Sequence, residues 1–241
     1  MNNNTYRSQH IITFAAIVFL FAACTKDNDS PNDPLTPAQN KSLIYLTDAS
    51  PYTNSIDLRL NDSLMLGEYF RRGSEKYFSV ADGTVNVKVS QLGTTNYIVD
   101  TNINNIATGR YSVFVVNNWN KLSVIAVQDN FPNLDAGRAG IRFMNLSPDA
   151  PNLDVYIKET GQLLFSNRGY CDEESPTSNQ IFIPFPIGTY TLQIRQAGTG
   201  NILLEMGNVQ FYSQKIYNIW AGGNMSDTGA TAFCLNLQTL M

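Results

Sequence analysis

Histidine is almost missing from this chain: His10 is the only one among 241 residues, and it lies in an N-terminal stretch that does not reach the mature protein. Without it there is no Ser-His-Asp or Cys-His pair for nucleophilic catalysis and no His-ligated zinc or iron site. Cysteine is scarce as well, with Cys24, Cys171 and Cys234 and no others. Basic residues neither dominate nor cluster. Sixteen Lys and Arg stand against twenty Asp and Glu, for a net charge of −4 and a pI near 4.9. Such a chain is a poor partner for nucleic acid or for anionic headgroups. No apolar run is long enough to cross a bilayer core, which takes about 20 helical residues. The absences exclude most enzyme classes; no catalytic residue, cofactor or metal is expected.

The longest apolar run is informative because of where it stops. Arg7 supplies a positive start, thirteen largely apolar residues run from Ile11 to Ala23, and Leu20-Phe21-Ala22-Ala23-Cys24 places small residues beside a cleavage point. The pattern resembles a bacterial lipoprotein signal with its lipobox, with Phe21 where Leu is commoner. It implies cleavage after residue 23 and lipid on Cys24, hence a membrane partner reached through acyl chains, which contribute about 0.8 kcal/mol per buried CH₂. Removing residues 1–23 takes away Arg7 and no acid, so the mature charge becomes −5. Residues 24–41 then read as the lipidated Cys followed by a tether, in which Pro31, Pro34 and Pro37 alternate with Asn, Asp, Ser and Thr. Lys26-Asp27-Asn28-Asp29 resembles the acidic export tag of Bacteroidetes surface lipoproteins. The address expected is therefore the outer membrane, lipid-anchored and on the cell surface, with a periplasm-facing anchor as the alternative.

After the tether the chain repeats itself. Ser50-Pro51 returns as Ser147-Pro148, and Ile56-Asp57-Leu58-Arg59-Leu60 as Leu153-Asp154-Val155-Tyr156-Ile157, each 97 residues later. Gly83-Thr84-Val85 returns as Gly188-Thr189-Tyr190 at 105, and Tyr111-Ser112-Val113-Phe114 as Tyr217-Asn218-Ile219-Trp220 at 106. Preserved order with slow drift marks two tandem domains, 42–136 and 139–241. Every strong segment has period two: Val85, Val87 and Val89 alternate with Asn86 and Lys88, and Tyr190, Leu192 and Ile194 with Thr191 and Gln193. Alternation of this kind gives half-buried strands. Turn signals at Asp82-Gly83, Asn117-Asn118, Gly198-Thr199-Gly200 and Gly222-Gly223-Asn224 separate them. Only Leu64 to Arg72 could pass for a short helix. The expectation is all-β: two antiparallel β-sandwiches of seven strands each, immunoglobulin-like or transthyretin-like.

Ser147-Pro148-Asp149-Ala150-Pro151-Asn152-Leu153-Asp154-Val155-Tyr156, followed by Leu163-Leu164-Phe165 and Pro186-Ile187-Gly188-Thr189-Tyr190-Thr191-Leu192, resembles the bacterial family of domains of unknown function numbered 4397. The first repeat keeps Ser50-Pro51, Asp57 and Gly83-Thr84 but has Tyr52-Thr53-Asn54 in place of Asp-Ala-Pro. The resemblance implies extracytoplasmic β-domains, often lipid-anchored, and brings no activity with it.

Most chemical motifs dissolve on inspection. Asp57 and Asp154 are too far apart in the repeat plan to be a glycosidase pair; each is expected to tie its Ser-Pro loop by accepting from backbone N–H groups. Asp100-Thr101-Asn102-Ile103-Asn104 imitates a calcium loop, but Asn105 and Tyr111 stand where Gly and Glu are needed. Asp172-Glu173-Glu174 reads as a solvated acidic loop, and Gly198-Thr199-Gly200 as a hairpin turn. Asp62-Ser63-Leu64 resembles a Bacteroidetes O-glycosylation site. Cys171 and Cys234 form either a disulfide or one buried and one free thiol. Trp119, in Asn117-Asn118-Trp119-Asn120 at a turn, is the candidate ligand-binding residue: its ring either stacks on a sugar or a protein partner, or packs against the second domain. Phe114 and Trp220 fall on the strand face opposite Tyr111 and Tyr217, which makes one face core and the other a sheet or domain contact. The functions left are non-catalytic binding or display on a membrane-anchored lipoprotein, carbohydrate binding within a glycan-uptake system, and a metal-independent hydrolase, with an extracellular glycan or protein as partner.

Overall fold

The computed structural model describes residues 38, 40–51, 56–68, 76–118, 121–172 and 181–241. These form sixteen strands and one 3-10 turn at Gly229–Thr231. The first repeat supplies β1 (Lys41–Asp48), β2 (Ile56–Leu60), β3 (Ser63–Glu68), β4 (Phe78–Ala81), β5 (Gly83–Gln91), β6 (Tyr97–Ile106), β7 (Arg110–Asn118) and β8 (Lys121–Gln128). The second supplies β9 (Arg138–Asn145), β10 (Leu153–Ile157), β11 (Leu163–Arg168), β12 (Ile183–Pro186), β13 (Gly188–Gln196), β14 (Ile202–Phe211), β15 (Ile216–Gly222) and β16 (Cys234–Thr239).

Each set makes two four-stranded sheets in the same order: β4-β1-β7-β8 over β3-β2-β5-β6, and β12-β9-β15-β16 over β11-β10-β13-β14. The period-two pattern does the work expected of it. Val85, Val87 and Val89 point into a core with Ile44, Leu46, Val113 and Val115; Leu192 and Ile194 do the same against Ile141, Phe143 and Ile219. Full burial of each such side chain is worth about 1.5–3 kcal/mol.

Three details differ from the sequence expectation. Each sandwich has eight strands, because β4 and β12 are only four residues long and too short to show a period. Leu64 to Glu68 is strand, since Leu66 pairs with Leu58 of β2 across the sheet and tertiary pairing outweighs a weak helical pattern. The sheets are not wholly antiparallel: β1 runs parallel to β7, and β9 to β15. Lettered A to H, the order is DAGH on CBEF, the transthyretin-like of the two arrangements expected, rather than the immunoglobulin ABED on CFG.

The two sandwiches dock through their β1- and β9-containing sheets. Phe114, Val116, Ile125 and Val127 of the first meet Met144, Leu146 and Trp220 of the second in one buried cluster. Tyr45 joins Phe182, Ile216 and Leu240 in another. Residues 139–145 and 216–222 are therefore buried on both faces, so Arg142, Asn218 and Gln238 lie inside. Arg142 Nη2 donates to Asp129 Oδ1 at 2.6 Å and to Asn218 Oδ1 at 2.7 Å, and Nη1 donates to the Gln128 carbonyl at 3.2 Å. Its guanidinium lies 4.2 Å from the centre of the Phe182 ring. Asp129 also accepts from Ser112 Oγ and from Tyr77 OH at 2.9 Å. Burial, with the Asp129 charge beside it, pushes the Tyr77 hydroxyl far above the usual phenol range, so it stays a donor.

Both charges of the Arg142–Asp129 pair are fully shielded from solvent. Removing one partner of such a pair strands the other, at a cost of about 3–5 kcal/mol. Arg142→Met should therefore lower the unfolding free energy by that amount in urea titration, and the double replacement Arg142→Met with Asp129→Leu should recover most of it. A single variant as stable as the parent would mean that the pair is not desolvated.

Candidate binding groove

Among the described residues β6 pairs only with β5, and β8 only with β7, so both are sheet edges there, on the same side of the first sandwich. Between them lies a groove of about 370 Å³, walled by residues 98–101 of β6 and 121–124 of β8. That volume falls within the range of small-ligand sites, about 300–1,000 Å³. Polar and apolar side chains alternate along the β8 wall, Lys121-Leu122-Ser123-Val124, while the β6 wall is apolar at Ile98 and Val99 and polar at Asp100 and Thr101, with Ile98 56 % exposed. A smaller cleft of about 80 Å³ lies where Ala49-Ser50-Pro51 approaches Trp220, Gly223 and Cys234.

The residues singled out in the sequence are scattered rather than gathered. Cys24 and Trp119 lie outside the described residues. Asn118 stands opposite Lys121 at the end of the β7–β8 pairing, and next to it Tyr170 OH of the second sandwich donates to the Asn117 carbonyl at 2.6 Å. Phe114 and Trp220 do occupy the face opposite Tyr111 and Tyr217. Their rings meet 6.1 Å apart between the sandwiches, while the tyrosines stay in the separate cores.

Asp57 and Asp154 serve structure, with a partner other than the Ser-Pro loop. Asp57 accepts from the Gly93 amide at 3.2 Å, and Asp154 from the Gly198 amide at 3.4 Å and the Asn167 amide at 2.8 Å. Their strands pair with β5 and β13, so the following hairpin turns are the amides in reach. The Ser-Pro loops are tied instead by the residue two places before each serine: Asp48 accepts from the Ser50 amide and Asn145 from the Ser147 amide.

Residues 100–104 form part of β6, not a loop, and Asp100 and Asn102 each accept from Asn86 Nδ2 at 2.9 Å. Asp172 is engaged with Arg168 at 3.0 Å and with the Gly169 amide; Glu173 and Glu174 lie outside the described residues. Gly198-Thr199-Gly200 is the β13–β14 turn, with Gly198 at φ 69°. Ser63 opens β3 directly after Asn61 and Asp62, both in the left-handed region. Cys171 and Cys234 are not joined in a disulfide, and neither is the buried thiol of the alternative: Cys171 is half-buried and Cys234 exposed. Among the described residues no three His, Cys, Asp or Glu stand together as metal ligands, and no helix is long and apolar enough to cross a membrane.

With this geometry in view, the comparisons with known proteins are narrow. Residues 42–156 match the family described as Domain of unknown function (DUF4397). No curated protein matches the chain. Among solved structures, a streptococcal virulence factor that binds α-glucan is 9 % identical, with 82 % of this chain and 97 % of that one covered at a TM-score of 0.25. Family 41 carbohydrate-binding modules from streptococcal virulence factors are 13 % identical over 73 % of this chain and 92 % of theirs, TM-score 0.25. A candidate adhesin from Bacteroides ovatus is 9 % identical over 82 % and 92 %, TM-score 0.19. Scores this low carry no argument.

One loop at this end has a titratable anchor. Asp149 accepts from the Met225 amide at 2.8 Å and the Ser226 amide at 3.2 Å, and Ser147 Oγ donates to the Gly223 carbonyl at 2.7 Å. Burial pushes the Asp149 carboxyl up, but these amides and the Ser226 hydroxyl outweigh it and hold the group below the usual carboxylate range. A depressed folded-state pKa gives stability that is present above the unfolded value and lost as pH falls through the folded one. Protection of the 225–226 amides, measured as exchange relative to the intrinsic rate at each pH, should therefore fall on acidification below about pH 4, and Asp149→Ala should show the low protection already at neutral pH. Equal protection in the variant would rule the anchor out.

Proposed function

We propose that this protein is a lipoprotein held by acyl chains on Cys24, carried clear of the outer membrane by residues 24–41, and displayed outward for non-catalytic binding. The two modules of the mature chain, 42–136 and 139–241, are read as two copies of one DUF4397-type domain. The observation that carries the non-catalytic reading is the commitment of the buried carboxylates. Asp48, Asp57 and Asp154 accept from backbone amides, and Asp129 is paired with Arg142. No pair of these acids faces an open cleft from one module, as a hydrolase without histidine would require. What the fold offers a partner is the pair of unfilled strand edges at the groove and the loops at the sheet ends, the places where a rigid scaffold ordinarily presents contacts.

The reading is tested on the full chain in a host that processes lipoproteins. Mass spectrometry should find Cys24 acylated, and Cys24→Ser should leave the protein unprocessed or released from the membrane fraction. Protease added to intact cells should remove the parent protein. Protection until the outer membrane is breached would reverse the orientation, and an unmodified Cys24 in the exported parent would remove the anchor.

A further inference from the structure

We propose that the groove between β6 and β8 receives an extended peptide segment of a partner protein, added as a strand beside the two open edges. The inference rests on the non-catalytic binding role proposed above and names the partner class for it.

The duplication supplies an internal control. Cross-strand register equates Val99 with Leu204, Thr101 with Met206, Val124 with Leu235 and Ala126 with Leu237. Leu122, one step earlier, corresponds to Phe233. At all five positions the second repeat carries the larger apolar side chain. Those five, Leu204, Met206, Phe233, Leu235 and Leu237, pack together against the second core. In the first repeat the same wall is built from smaller groups, and the groove opens there. The second repeat therefore fills this edge with larger apolar groups than the first does. Apolar surface left in water forgoes the stabilisation of burial, so a groove lined by four of these positions, Val99, Thr101, Leu122 and Val124, favours a partner that covers it.

The shape of the opening points to a strand. Each wall is four consecutive strand residues, about 13 Å at 3.3 Å per residue. Backbone donors and acceptors of β6 and β8 that face away from β5 and β7 have no strand partner among the described residues. A peptide laid between them can pair with either edge and place alternate side chains against Val99, Leu122 and Val124, the pattern of strand addition. Charge sets its chemistry. The Lys121 ammonium at the rim is exposed and has no ionic or hydrogen-bond partner among the described residues. Asp100 on the other wall already accepts from Asn86. The segment that fits has small apolar residues at alternate positions and a carboxylate that reaches Lys121. Residues 98–101 and 121–124 include no aromatic ring on which a sugar could stack.

The probes are synthetic ten-residue peptides alternating valine with serine or threonine, with one central aspartate or one central lysine, and a neutral hexasaccharide. Titration calorimetry and amide chemical shifts are read on the mature full chain, on the double variant Thr101→Met with Val124→Leu, and on Lys121→Glu. The parent should bind the aspartate peptide with shifts confined to 98–101 and 121–124. The double variant installs the second repeat's residues and should bind at least about tenfold more weakly, about 1.4 kcal/mol, with an unchanged or raised melting temperature. Lys121→Glu should reverse the preference to the lysine peptide. Equal peptide binding by the double variant, or shifts elsewhere, overturns the inference. Hexasaccharide binding that the double variant loses, without peptide binding, overturns it while leaving the binding role intact. Self-association of the parent that the double variant loses assigns the edge to a second copy instead. A parent that binds neither probe and stays monomeric overturns both the inference and the binding role.

Discussion

The ion pair between Arg142 and Asp129 decides how this molecule is put together. Equivalent residues of the two repeats touch across the interface: Phe114 meets Trp220, and Asn218 donates to Ser112 at 3.0 Å. That is the form of an isologous dimer contact, in which one patch meets its own copy. The symmetry fails where the charges sit. Arg142 stands where the first repeat has Tyr45, and Asp129 where the second has Leu240. Pairing two first repeats through this face would bury aspartates without a guanidinium, and pairing two second repeats would bury arginines without a carboxylate. Either arrangement carries the several kcal/mol cost of a stranded charge. The pair therefore adds less to net stability than to the choice of partner, favouring one repeat against the other.

Once that face is buried, contact with anything else falls to the other sheet, the loop ends and the strand edges of each sandwich. β9 and β15 are covered on both sides, and the free surfaces are the β2- and β10-containing sheets, the loop ends and the strand edges. The outer sheets are laced by their own side chains: Arg195 stacks on Tyr156 at 4.2 Å, and Lys88 lies 5.0 Å from the Tyr97 ring. Exposed pairs of this kind satisfy charge locally and contribute modestly. The open edge of the first sandwich is the exception.

Much of the fold was legible in the sequence because its determinants are local. Val85, Val87 and Val89 alternate regardless of what covers them, and the repeat of Ser-Pro, Asp and Gly-Thr is a matter of spacing. The opposed faces of Tyr111 and Phe114 followed from period two alone. What was not legible depends on register between distant strands. The parallel pairing of β1 with β7 and the strand state of Leu64 to Glu68 are set by neighbours across the sheet, which no local pattern names. The sequence shows that Asp57 and Asp154 suit backbone amides but not which ones, since the turns at Gly93 and Gly198 come within reach only when β5 and β13 are in place. Arg142 and Asn218 look like solvent-facing residues of alternating strands, and only the docked second sandwich makes them interior. The groove did leave a trace, in smaller residues at Val99, Thr101, Leu122, Val124 and Ala126 than at their counterparts. Seeing it requires comparing the repeats by size of residue at matched positions, whereas shared motifs draw attention to what is the same.

The interface and the groove are coupled through a single strand. β8 turns Leu122, Val124 and Ala126 toward the first core and the groove, and Ile125 toward the buried cluster shared with Trp220. Val127 and Asp129 continue into the same junction, the latter as the partner of Arg142. The other end of the β7–β8 hairpin is fastened by Tyr170 of the second sandwich. An edge strand normally frays easily because it has one neighbour. Here the second sandwich braces β8 from behind while its front stays open, so the second repeat, with its own edge filled, acts as the support that keeps the first repeat's edge in a fixed, unpaired state.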